Sequence, residues 1–156
     1  MKRTLISTAA LAFLLMLPQP SATQDVPKGT VIATPDKITW KPSPRTPGVE
    51  VADLVGDAAK TGPYVQRVKI PPNFVVQAHS HPEDRTYTVI SGTWYVGWGD
   101  KYDPAKLIAL PPGSFYTEPA NVPHFVATKG EAVVFQISGN GPTASRYVDP
   151  AHAPKK

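Results

Sequence analysis

From Tyr64 onward, apolar and polar positions alternate in short segments rich in Val, Ile, Tyr, Phe and Trp, broken by turn residues about every ten positions. A period of two is what a strand with one buried face requires, because successive side chains point to opposite sides of the sheet. The pattern predicts strands over 64–70, 74–78, 86–90, 93–98, 106–110, 114–118, 125–127 and 132–138, with 146–148 as a last edge. Turn chemistry sits between them at Ser91-Gly92, Gly99-Asp100, Pro111-Pro112-Gly113, Lys129-Gly130 and Gly139-Asn140-Gly141. No helix longer than a turn or two is expected, and no internal repeat or low-complexity block is present. Regularly spaced short strands of this kind build a sandwich or barrel, so the chain reads as all-β.

The first third follows another pattern. Residues 5–17 are an almost unbroken apolar run behind Lys2 and Arg3, and Pro18 and Pro20 stop it. At about 13 residues the run is too short for the roughly 20 that span a bilayer, and it reads as a secretory signal peptide over 1–22. The expected location is periplasmic or secreted, without a membrane span. Residues 23–62, rich in Pro, Gly, Thr and Lys, are expected to wrap the barrel as an arm that adds one or two edge strands, with Trp40 and 49–55 as its apolar anchors. The barrel itself is placed at 63–150 and a solvated tail at 151–156.

Composition narrows the chemistry. There are 19 prolines and 11 glycines but no cysteine, which excludes disulfides, thiolate ligands, iron-sulfur clusters and a cysteine nucleophile. Loss of Lys2 and Arg3 with the leader lowers the formal charge from +4 to about +2, spread without a basic run, so a nucleic-acid partner is not expected. Ser80 and Ser91 have no histidine and acid partners at hydrolase spacing, and no glycine-rich phosphate loop is present. Any metal must be held by nitrogen and oxygen.

His79-Ser80-His81 supplies the nitrogen. Residues two apart on a strand share a face, so both imidazoles can address one ion. A third is available at His124, and three neutral imidazoles leave room on a divalent ion for water or substrate. The fourth histidine, His152, lies in the tail. Trp94 and Trp98 share one face of their strand and Tyr95 takes the other, so one of these sets is expected to face the core or a pocket. Phe115 and Phe125 are expected in the core.

These residues resemble the cupin motifs. His79-Ser80-His81 followed by Gly92 is similar to the first, two histidines, an acid and a glycine; Gly113, Pro119 and His124 are similar to the second, a glycine, a proline and a histidine. The match is tight over 74–134 and looser over the rest of the barrel. The resemblance implies a double-stranded β-helix, a jelly-roll barrel, with His79, His81 and His124 as ligands of a divalent transition metal: iron, manganese, zinc or nickel. It also departs from the family. Seven residues before Gly92, where cupins place a ligand glutamate, this chain has Arg85, which cannot bind a cation. Glu83, Asp84 and Glu118 are the acids that could stand in. Glu118 is favoured, because a carboxylate at the end of the aromatic segment Phe115-Tyr116-Thr117-Glu118 needs a partner; its alternative is a rim position facing water. Arg85 shares the parity of Tyr87 and Val89 and is expected to point inward. There it either clamps a substrate carboxylate or pairs with an acid to close the barrel mouth.

The family resemblance implies an enzyme acting on a small, anionic or neutral organic molecule, with Arg85 and Glu118 as catalytic candidates and oxygenase chemistry on a ferrous ion as the first expectation. A non-catalytic periplasmic module that binds or senses a metal or ligand is the competing reading; an open cavity beside the histidines argues for the enzyme and a closed site against it. Cupin barrels often associate through edge strands, which leaves a homodimer open.

Overall fold

The structure, a computed structural model, describes residues 24–154. The chain divides after Thr30. Of the first unit, residues 24–30 are exposed and carry one turn, in which the Thr30 N–H donates to the Pro27 carbonyl at 3.1 Å. The predicted leader lies outside the described residues. The second unit, from Val31, holds every strand.

Among the described residues, eleven strands form two antiparallel sheets. They are β1 (Lys41–Pro42), β2 (Glu50–Val55), β3 (Gly62–Ile70), β4 (Val75–Ser80), β5 (Arg85–Ser91), β6 (Trp94–Trp98), β7 (Ile108–Leu110), β8 (Phe115–Glu118), β9 (His124–Ala127), β10 (Val133–Gly141) and β11 (Arg146–Tyr147). One sheet has the order β1-β2-β3-β10-β5-β8 and the other β11-β4-β9-β6-β7. This is the jelly-roll barrel of a double-stranded β-helix. Helix among the described residues is limited to three short 3-10 turns, one of which (Pro104–Lys106) occupies the start of the segment read as a strand over 106–110. There the Asp103 side chain accepts from the Ala105 N–H at 3.0 Å, a local cap that competes with strand pairing.

Alternation sets the inward faces. Arg85, Tyr87 and Val89 are buried on β5 while Thr86 and Thr88 are exposed. On β3 the buried set is Tyr64, Gln66, Val68 and Ile70. Trp94, Val96 and Trp98 face the interior, and Tyr95 faces outward beneath the Lys129 ammonium, 4.3 Å from its ring centre. Phe135, Trp94, Tyr87, Val126 and the arm residues Val49 and Val51 complete the packed interior.

One residue departs from expectation. Phe115 is 64% exposed, because β8 is an edge strand whose inward positions are Tyr116 and Glu118. Phe125 is fully buried, yet on the far side of β9 from the histidine site, against Tyr102 at 5.4 Å. Gly97 makes room for it: a Cβ there would lie 2.4 Å from the Phe125 ring. At the Ser91-Gly92 turn the φ of Gly92 is +70° and a Cβ would meet the Ala132 carbonyl oxygen at 2.4 Å, so only glycine fits.

Candidate metal centre and its cavity

Strand pairing assembles the site. His79 lies near the end of β4 opposite His124, the first residue of β9, and His81 follows directly where β4 stops. From the other sheet, Arg85 at the start of β5 pairs with Glu118 at the end of β8. The two sheets therefore bring three imidazoles and one carboxylate to the same end of the barrel. Ring centres of the histidines are 4.4 to 5.0 Å apart, and one ring nitrogen from each lies within 4.8 Å of the others.

The other ring nitrogens are engaged. Nδ1 of His79 lies 2.8 Å from the Gln77 carbonyl, Nδ1 of His81 2.7 Å from that of Ala144, and Nδ1 of His124 3.1 Å from that of Val122. A carbonyl only accepts, so each Nδ1 carries the proton and each Nε2 keeps its lone pair for the centre, the arrangement that orients histidine as a ligand. Burial, helped for His79 by His124, pushes the His79 imidazole down to about 4. Burial likewise lowers His124 to about 4 and His81 further still. All three are neutral near pH 7, as ligands must be.

Glu118 meets them. Its side chain is 2% exposed, and its oxygens lie 3.3 Å from His124 Nε2 and 3.7 Å from His81 Nε2. One oxygen accepts from the Tyr116 hydroxyl at 3.1 Å, which in turn accepts from the Trp94 indole at 2.8 Å. The other, Oε2, is buried without a hydrogen-bond partner among the described residues. Burial, opposed by Tyr87 and Arg85, raises the pKa of this carboxyl. Three imidazole lone pairs converge, and a partly orphaned carboxylate lies against two of them, a set of nitrogen and oxygen donors. A divalent cation fits that set: nitrogen and oxygen donors suit zinc, iron, manganese and nickel alike.

The remaining candidates separate cleanly. Asp84 is exposed and its carboxylate caps the Ala120 N–H at 2.7 Å, holding the loop before His124 rather than facing the cluster. Glu83 accepts from Arg85 Nε at 2.7 Å and from the Tyr64 hydroxyl at 3.0 Å. Arg85 is buried, as its parity predicts, and also donates to the Tyr87 hydroxyl at 3.2 Å and to the Thr143 hydroxyl. The ion pair with Glu83 is thus formed, and Arg85 also lines the cavity. His152 stands apart, 4.0 Å from Asp149.

A cavity of about 90 Å³ adjoins the cluster, lined by His79, His81, His124, Glu118, Arg85 and Tyr87 together with apolar side chains of both sheets. That is room for about three waters or a small organic molecule. Two polar lining residues have no motif to announce them. Tyr147, on β11, stacks on the His79 ring at 5.5 Å, and Arg45 comes from the arm between β1 and β2. Arg45 sits in a Pro- and Gly-rich stretch without periodicity, where no pattern distinguishes a pocket residue from a solvated one.

Residues 28–143 match the family model described as the ChrR cupin-like domain. The chain belongs to this cupin family. No curated protein matches it in sequence. Among solved structures, this cupin is similar to the polyketide cyclase RemF from Streptomyces resistomycificus, at 16% identity and a TM-score of 0.66 over 80% of this chain and 89% of that one. It is also similar to an RmlC-like cupin from Shewanella frigidimarina (12%, TM-score 0.54, 69% and 87% covered). A third likeness is to a cupin-superfamily sugar phosphate isomerase from Silicibacter pomeroyi (18%, TM-score 0.54, 72% and 78% covered). At these identities the likeness establishes the shared fold.

Proposed function

We propose that this cupin is a metal-dependent enzyme that binds a small organic molecule beside one divalent ion held by His79, His81 and His124, with Glu118 as the fourth ligand. The observation that carries the reading is the common orientation of the three rings, each Nδ1–H spent on a backbone carbonyl and each Nε2 turned to the centre. A bound ion would supply Lewis-acid polarisation of a substrate oxygen or, if ferrous, a centre for the oxygenase chemistry the family analogy suggests. The chain's own groups then have defined tasks. Glu118, as the fourth ligand, would hold the ion from the sheet opposite β4 and β9. Arg85, neutralised in part by Glu83, orders the Tyr87 and Thr143 hydroxyls beside it. The apolar walls exclude water.

The adjoining cavity favours a ligand-binding site over a closed structural or sensing metal. RemF is named a cyclase and the Silicibacter protein an isomerase, so cupin barrels of this shape support catalysis on organic molecules. The test is metal analysis of the untagged chain by plasma mass spectrometry. One first-row ion per chain is expected, lost in His79→Ala and in His124→Ala. A wild-type protein that stays metal-free on titration contradicts the proposal.

We further propose that the protein is exported, on the strength of Lys2, Arg3 and the apolar run that follows. Intact mass of the protein recovered outside the cytoplasm is expected to show cleavage near Ala22; a full-length mass there would contradict it.

A further inference from the structure

The two guanidiniums on the cavity are unequally partnered. Two guanidiniums, Arg45 and Arg85, line it, and the only carboxylate among its lining residues is Glu118 at the histidine cluster. The one acid bonded to a guanidinium here, Glu83, is committed through Oε1 to Arg85 and Tyr64. Among the described residues the Arg45 guanidinium has no hydrogen-bond or ion-pair partner, although its side chain is half-buried. Burial first, and then the like charge of Arg85, bear on Arg45 and lower its pKa. Glu83, whose Oε2 is buried without a partner among the described residues, and Asp53 oppose this from a distance, yet neither bonds the guanidinium, and a part-buried donor without a bonded partner is costly.

Its backbone is fixed. The Ser43 hydroxyl accepts from the Arg45 and Thr46 N–H groups at 3.3 and 3.1 Å, and the loop is closed by Ser43 N–H to Val49 C=O at 2.8 Å and Val49 N–H to Thr46 C=O at 3.2 Å. The guanidinium is thus presented from a braced turn. The Tyr147 hydroxyl, also on the cavity, has no hydrogen-bond partner among the described residues and adds a second free donor. An apolar patch of the lining is formed by Val49, Val51, Val68, Ile70 and Ile137.

We infer that Arg45 is the docking point for the carboxylate of a small organic acid, whose apolar body fills the cavity beside the histidine cluster. A planar guanidinium fork without a bonded partner matches one carboxylate, which it grips through two parallel N–H bonds. The inference deepens the proposed function and rests on its cavity, and it names the substrate class that the metal site would receive.

The test is calorimetric titration of the full chain with acetate, pyruvate and 2-methylpropanoate and with their neutral amides, alongside Arg45→Gln and Arg45→Lys. Metal content is measured on every sample. The carboxylates are expected to bind and the amides not. Arg45→Gln should weaken carboxylate binding about tenfold or more, the scale of a lost charge-assisted pair, with metal content unchanged. Arg45→Lys should recover part of it, since it keeps the charge and loses the fork. Equal binding by wild type and Arg45→Gln, or no carboxylate binding at all, overturns the inference. So does a loss of stability in Arg45→Gln with carboxylate binding intact, which would make Arg45 a packing partner of Glu83. A metal-free wild type that still binds carboxylates through Arg45 would sink the metal reading alone.

Discussion

Glu118 is under two opposed demands. Its carboxyl faces the lone pairs of His81 and His124 with one oxygen unpartnered among the described residues, and burial raises its pKa. With a cation at the centre, the same contacts become ligation. Glu118→Gln should therefore move stability and metal affinity in opposite directions. An amide Nε2–H can donate to the imidazole nitrogen it faces, so the metal-free variant should be more stable, by about 1 kcal/mol in denaturant unfolding. Its metal affinity should fall about tenfold or more, read by competition with a chromophoric chelator. Arg85 shows why the fourth ligand was hard to name from sequence. The cupin pattern places an acid there, and which of three nearby acids replaces it depends on cross-strand pairing. The register of β5 against β8, invisible to periodicity, sets Arg85 opposite Glu118 and brings that carboxylate beside His81 and His124.

At the scale of elements, the period-two pattern located the strands from β3 to β11, most plainly β3, β5 and β10, which alternate buried and more open positions. It says less about which face meets what. Phe115 reads as core and is exposed, since an edge strand buries one face alone and the inward one is taken by Tyr116 and Glu118. β9 is buried on both sides, and its second side rests on Phe125 packed over Gly97. Gly97→Ala should cost about 1–3 kcal/mol by overpacking, measured by chemical denaturation, because the Phe125 ring is enclosed and cannot yield cheaply. The β1–β2 segment was legible as an arm but not as a wall of the cavity. Arg45 enters the site through a turn whose placement depends on β2 pairing with β3.

Across the whole molecule, burial of phenols ties stability to alkaline pH. Burial raises Tyr64, and raises Tyr87 and Tyr116 well above the ordinary value of 10. The unfolded chain loses these protons near pH 10 while the folded chain keeps them, so above that pH the folded state binds more protons and stability falls as pH rises. Phenolate absorbance from these residues should appear together with loss of the fold. Their gradual titration in a protein that stays folded would contradict the buried aromatic layer. Without a cysteine in the chain, the barrel has packing alone to resist that loss.

The central claim is that three imidazoles, oriented by backbone carbonyls, address one ion. X-ray absorption fine structure at the edge of whichever metal the purified chain holds, or is loaded with, measures this directly. The account predicts multiple-scattering features of about three imidazole nitrogens and a remaining oxygen shell. A spectrum of oxygen ligands alone, unchanged in His79→Ala, would contradict it.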